Sequence, residues 1–201
     1  MKIKRLGLLV LTTLALVAML PLSAAAGGAQ HVSWDIISLG SVPLAPPITF
    51  NPGGVASAQA PDGESITLTG SGTFVAPSGS NGGSGAVTGG GTWVTSFGGS
   101  GTYEVTELVT WEFASPQILL IGGLPVTDNT GDNTKRANGT AVLKVAFSDG
   151  ATGVLTVGCH GPGAPDGMFE GIATTKGFKT YYTVPVPVPA VNEGRTLFHV
   201  E

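Results

Sequence analysis

Beyond residue 30 the chain alternates apolar and polar positions with a period of two, and turn-forming residues interrupt the alternation at short intervals. The clearest run is Ile66 to Val75. Ile66, Leu68, Gly70, Gly72 and Phe74 fall on one face; Thr67, Thr69, Ser71, Thr73 and Val75 fall on the other. That period belongs to an extended strand, whose successive side chains point to opposite faces. One face buried and one wetted is the pattern of an antiparallel sheet. Comparable runs predict strands at His31–Leu39, Val87–Thr95, Thr102–Phe113, Met168–Thr175, Phe178–Thr183 and Thr196–Val200. No segment offers a convincing amphipathic helix.

A short motif recurs within this pattern. Gly70-Ser71-Gly72-Thr73-Phe74 is echoed by Gly89-Gly90-Gly91-Thr92-Trp93 and by Gly99-Ser100-Gly101-Thr102-Tyr103. The spacing is too irregular for a solenoid. It fits neighbouring strands of a meander, in which glycines let the sheet coil and an aromatic fills the space they leave. Three strands that merely share a composition would read the same way. Ser78 to Gly85 is expected to be a loop.

A hairpin is predicted from Thr140 to Cys159, turning at Asp149-Gly150. A three-residue loop, Asp149 to Ala151, pairs Phe147 with Gly153, Val145 with Leu155, Leu143 with Val157 and Ala141 with Cys159. This joins apolar to apolar, so a three- or five-residue loop with a glycine bulge is expected. Cys159 then faces inward and His160 the opposite way. Lys176-Gly177 is a second candidate turn. Val184 to Ala190 alternates Val with Pro and lacks three amide donors, so it should cross the surface extended.

These elements define an all-β fold: a single antiparallel domain, residues 27–201, of about eight short strands. The same alternation serves a closed barrel or a two-sheet sandwich, and apolar strands at both ends of the domain favour the closed barrel.

The N-terminus reads differently. Lys2, Lys4 and Arg5 precede an apolar stretch from Leu6 to Leu22, and Ala24-Ala25-Ala26 supplies a small-residue cleavage site. Residues 1–26 therefore read as a secretory signal peptide, and the protein as secreted, periplasmic or otherwise extracytoplasmic, with no membrane attachment after cleavage. Three of the nine basic residues and none of the thirteen acidic ones lie in this segment, so the remainder carries a net charge of −7. That balance excludes nucleic acid as a partner, because the attraction to phosphates is missing. Cys159 is the only cysteine, so the glycine-rich domain has no internal disulfide and rests on its core.

Candidate chemistry is sparse. On the strand Thr102–Phe113, Glu107 shares a face with Tyr103, Val105, Val109, Trp111 and Phe113. A carboxylate in such company would have a raised pKa and act as proton donor or ligand anchor. A β-bulge near Thr106 would instead return it to solvent. Glu170 and His160 are the other candidate acid–base groups. Cys159 and His160 are neighbours on a strand and point to opposite faces, so Cys159 reads as a buried structural thiol. Asp128 and Asp132 belong to an oxygen-rich loop, Asp128 to Asn133, that offers two candidate metal ligands. It lacks the alternate ligands and closing Glu of an EF-hand, and a solvated turn has the same composition. No cofactor is expected. Asn138-Gly139-Thr140 is a glycosylation sequon, relevant only in a eukaryotic secretory pathway.

The Gly-Thr-aromatic strand grammar is similar to that of the avidin-like and allene-oxide-cyclase-like families of small barrels, over the central half of the chain. The resemblance is architectural and implies a barrel; no catalytic or ligand-binding motif of either family maps onto these residues. The leading functional expectation is a non-enzymatic domain binding a small apolar ligand or an extracellular surface partner. Trp93, Tyr103, Trp111 and Phe147 are the candidate ligand-lining rings, and core filling is their other use. Two alternatives stand beside it: an isomerase or cyclase with a carboxylate inside the barrel, and a structural or adhesive surface protein.

Overall fold

The computed structural model describes residues 29–40, 48–76, 86–118, 120–121, 123–188 and 191–201. The expected signal peptide and the Ser78 to Gly85 loop lie outside the described residues, as do the last two residues of the Val-Pro segment. The described residues form fourteen strands: β1 (Gln30–Leu39), β2 (Ile48–Pro52), β3 (Ala56–Gln59), β4 (Ser65–Leu68), β5 (Ser71–Ala76), β6 (Val87–Thr95), β7 (Ser100–Pro116), β8 (Leu120–Ile121), β9 (Leu124–Asp128), β10 (Arg136–Phe147), β11 (Thr152–Cys159), β12 (Gly171–Lys176), β13 (Lys179–Tyr181) and β14 (Arg195–Val200). The described residues contain one 3-10 turn, Asn133–Lys135, and no α-helix.

Six strands close into an antiparallel barrel in the order β1–β5–β6–β7–β10–β14 and back to β1. Closure comes from the two ends of the domain: β14 pairs with β1 from Val32↔Val200 to Ile37↔Arg195, and with β10 at Arg136↔His199 and Ala137↔Phe198. Strands β11–β13 extend the sheet from β10, while β2, β9 and β8 extend it from β1. The fold is thus the expected all-β barrel, but with more strands than the alternation announces. The run Ile66 to Val75 divides at Thr69-Gly70, where its neighbour changes from β3 to β1. Strands β2, β3, β8 and β9, of two to five residues, are too short to display a period.

The barrel interior is aromatic. Phe198 on β14, Trp111 on β7 and Phe74 on β5 meet across it, with ring centroids 4.6 Å and 5.6 Å apart for the two pairs. Trp93 packs edge-on against Phe147 at 5.9 Å, and Tyr103 lies 6.1 Å from the same ring. The repeated Gly-Thr-aromatic segments are indeed neighbours, β5–β6–β7. Gly70 and Gly101 lie against aromatic side chains. A Cβ on Gly70 would sit 2.2 Å from the Tyr103 hydroxyl, and one on Gly101 would sit 3.0 Å from the Trp93 ring nitrogen.

The β10–β11 hairpin joins apolar to apolar as expected, but two residues out of the expected register. Val145 pairs with Gly153, Leu143 with Leu155, Ala141 with Val157 and Gly139 with Cys159. The loop is the three residues Ser148 to Gly150, bounded by a Phe147 N–H···O bond to Ala151 of 2.8 Å, with Gly150 at φ 88°. An even shift leaves every side chain on its face. Cys159 is therefore buried and His160 exposed, as that alternation requires. The second turn lies one residue later than expected, at Gly177-Phe178 between Lys176 and Lys179. Val184, Val186 and Val188 are exposed.

Strand β7 departs from simple alternation. Its pairing with β10 shifts at three points, leaving Thr106, Val109 and Ala114 without partners. Each bulge puts two residues opposite one and reverses the phase of the residues beyond it. Tyr103, Val105, Leu108 and Trp111 consequently face inward, whereas Val109 and Phe113, expected inside, are exposed.

Candidate functional site

The β1–β14 pair is covered over most of both faces. Val32, Trp34 and Ile36 share the barrel side with Thr196, Phe198 and Val200; Ser33, Asp35 and Ile37 share the other with Arg195, Leu197 and His199. Strands β2 and β9 and the 3-10 turn cover this second face, and there the chain assembles two polar features.

The first is a cleft of about 290 Å³. Ile37 and Leu39 of β1, Phe50 of β2, Ile121 of β8 and Leu197 of β14 supply its apolar walls. Polar groups arrive from the β11–β12 connection (His160, Glu170), from the start of β14 (Arg195, Thr196) and from Gln117, just beyond β7. Cys159 also lines it.

Glu170 anchors one side. Its Oε1 accepts the Thr196 N–H at 2.8 Å, and its Oε2 accepts the His160 N–H. Burial pushes its carboxyl up to about 7, against the opposing pull of those two amides and Arg195. Burial likewise raises the Cys159 thiol well above its ordinary value, with the nearby Glu170 adding to the effect. A protonated, inaccessible sulfur is a poor nucleophile.

The cleft wall is held by Asn138, which is wholly buried. Its Nδ2 donates to Ser115 Oγ at 3.0 Å and to Pro162 O at 3.4 Å, and its Oδ1 accepts the Gly161 N–H at 2.7 Å. The sequon asparagine is thus a clamp inside the fold, unavailable for glycosylation once folded.

The second feature is a buried polar cluster. His199 Nε2 lies 2.9 Å from Asp128 Oδ2, and Asp128 Oδ1 accepts from Thr130 N at 2.9 Å and Thr130 Oγ1 at 2.6 Å. Burial would raise the Asp128 carboxyl, but the bonds from His199 and Thr130 prevail and hold it low. Asp35 faces the same pair and is pushed up to about 6, mainly by burial, with Asp128 adding to it and His199 opposing. Arg136 is buried over the Phe50 ring, 5.2 Å from its centroid.

Ser33 Oγ stands 3.5 Å from His199 Nδ1, which completes a serine–histidine–aspartate sequence of contacts. This is not the geometry of a nucleophile. Ser33 lies mid-strand between His199 on β14 and Thr73 on β5, so no free main-chain N–H remains beside it to stabilise an oxyanion.

The structure distributes the sequence candidates among these features. His160 and Glu170 meet at the cleft. Glu107 does not reach it: the bulge at Thr106 turns its side chain to solvent, 38% exposed, where it pairs with Lys144 at 2.8 Å. Trp93, Tyr103, Trp111 and Phe147 are buried and packed against one another or other core rings, away from the cleft. Asp128 turns inward to His199, while Asp132 Oδ1 caps the 3-10 turn by accepting from Thr134 N at 2.8 Å. Among the described residues, no three His, Cys, Asp or Glu side chains gather in a way that would hold a metal ion. Gln117, Arg195, Asp35 and His199 carry no sequence signal of their own; only tertiary pairing brings them into these sites.

Comparison of the chain with protein-family models, with curated proteins and with solved structures returned no match. The likeness to the avidin-like and allene-oxide-cyclase-like barrels therefore rests on strand grammar and barrel architecture alone, which carry no function.

Proposed function

We propose that this chain is an extracytoplasmic, non-enzymatic binding protein that holds one small, mainly apolar ligand in the cleft flanking its barrel. The observation that carries this reading is the cleft itself: apolar walls from four strands, with a few polar groups converging at one side. Small-molecule sites have this make-up, and a volume of about 290 Å³ is at the low end of their range. The signal-like N-terminus supports the compartment, and the acidic balance argues against nucleic acid.

A second reading, an isomerase or cyclase with Glu170 as its acid–base group, draws on a carboxyl that titrates near neutrality beside an apolar space. Both oxygens of that carboxyl already accept main-chain N–H bonds, so binding is preferred.

Fluorescence titration of the folded protein with anilinonaphthalene sulfonate tests the proposal. Saturable one-site binding is expected, and it should be lost in Leu39→Trp, which fills the cleft. Absence of binding, or binding indifferent to Leu39→Trp in a cooperatively folding variant, would refute it.

A further inference from the structure

Resting on that reading of the cleft, we infer that its ligand is an apolar monocarboxylate, its chain along the cleft walls and its head group paired with Arg195 at the rim. Arg195 opens β14 opposite Ile37 and on the same face as Leu197, so its side chain leaves the strand beside two of the apolar wall residues. It is exposed and lines the cleft. Six Lys and Arg side chains lie beyond residue 26. Lys144, Lys176 and Lys179 are committed to ion pairs with Glu107, with Asp149, and with Asp62 and Glu64. Arg136 is buried and donates to Asn133 O and Ile118 O, and Lys135 ends the 3-10 turn that Asp132 caps. Among the described residues, the Arg195 guanidinium has no hydrogen-bond or ion-pair partner.

Three other titratable groups line the cleft. His160 is exposed at the rim, and its ring can donate an N–H to an anion in either protonation state. Cys159 stays protonated. Glu170 would repel an anion if its carboxylate were free, but both oxygens accept main-chain N–H bonds and burial disfavours its charge. Arg195 is near enough to pull against that effect of burial, so its positive field reaches into the cleft. An ammonium head group would confront this field, and a dianion would exceed the single guanidinium beside Glu170. One carboxylate matches the guanidinium fork in both charge and shape. The rest of the protein works against accidental anion binding, since the chain beyond residue 26 carries a net charge of −7.

The test is displacement of N-phenyl-1-naphthylamine, an uncharged apolar fluorophore that does not itself call on Arg195, by octanoate, octanamide and octylamine. At about pH 6 octanoate is ionised and Glu170 is mostly neutral. Octanoate and octanamide share chain and head-group shape and differ in charge. Octanoate should displace the probe at about tenfold lower concentration than octanamide, the effect of one charge-assisted pair. Octylamine should be the weakest of the three. In Arg195→Met, which keeps an apolar stem without the charge, octanoate should lose its advantage while the probe binds as before. Equal displacement by octanoate and octanamide in the unmodified protein would overturn the inference, whether or not the variant folds. So would octylamine as strong as octanoate, or an advantage of octanoate that survives in Arg195→Met. Failure of the probe to bind at all would instead remove the cleft reading beneath it.

Discussion

His199 Nε2 lies 2.9 Å from Asp128 Oδ2, and these two side chains, from β14 and the end of β9, are closed off from solvent. They join the strand that closes the barrel to the layer covering its outer face. Breaking a buried pair leaves an uncompensated polar group, so Asp128→Ala should cost about 3 kcal/mol at pH 7. The sign of the pH dependence follows from the carboxyl being held low in the fold. Its contribution is complete above its unfolded value, near 3.9, and is lost as pH falls below it. Urea unfolding at pH 7 and pH 3 should therefore find the gap between variant and parent narrowing in acid.

Asp35 should behave in the opposite sense. Its folded pKa of about 6 exceeds the unfolded value, so the native state binds more protons between about pH 4 and 6. Stability from this group falls as pH rises through that window. Asp35→Asn, neutral at every pH, should be more stable than the parent by about 2 kcal/mol at pH 7.5, after allowance for partial solvent screening. Below pH 4 the two should coincide. A variant less stable than the parent at pH 7.5 would mean that the charged Asp35 is needed beside His199.

The sequence pattern carries the fold much further than the site, and β7 explains why. Period-two alternation identifies strands and their buried faces, as at β1, β6 and β14. It cannot register a bulge, because an extra residue changes phase without changing composition. Glu107 and Phe113 consequently lie on the solvent side rather than the inner face. The β10–β11 register slips by two because an even shift preserves every apolar contact the pattern can test. Glu170 and His160 are visible as titratable residues, but the cleft that unites them also needs segments near residues 37, 50, 117 and 195. Asp128 and His199, 71 residues apart, meet only through barrel closure.

The bulge at Thr106 makes a modest prediction for Glu107. Its pairing with Lys144 is exposed on both sides, and such surface pairs contribute about 0–1 kcal/mol. Glu107→Gln should move the urea midpoint only slightly and leave probe binding at the cleft unchanged. A loss of several kcal/mol would contradict the bulge.

Cys159 should be silent towards thiol reagents in the native state. Its sulfur is buried against Gln117, and burial keeps it protonated. Labelling with a disulfide reagent should await opening of the fold, so its rate should rise with urea in step with unfolding. Rapid labelling in buffer alone would mean that the sulfur is reached through the cleft from solvent.

Asn138 is the residue whose removal should affect stability and the cleft together. It ties β10 to Ser115 after the last β7 bulge, and to Gly161 and Pro162 in the cleft wall, through three side-chain contacts. Asn138→Ala removes all three and leaves the Gly161 N–H without its acceptor. Losing buried hydrogen bonds and stranding a donor should cost about 2–4 kcal/mol. With the clamp gone, the Cys159–Pro162 wall is free to relax, so the probe should bind more weakly even where the variant is fully folded. Asn138→Asp separates these effects. Its oxygen can still accept from Gly161, but it cannot donate to Ser115 or Pro162 and places a charge inside the fold. It should therefore be at least as unstable as Asn138→Ala while keeping more of the probe affinity. Measuring the urea midpoint and the probe titration on both variants checks the pairing. Two variants that lose stability and affinity in the same proportion would show that Asn138 supports the barrel as a whole rather than the cleft wall.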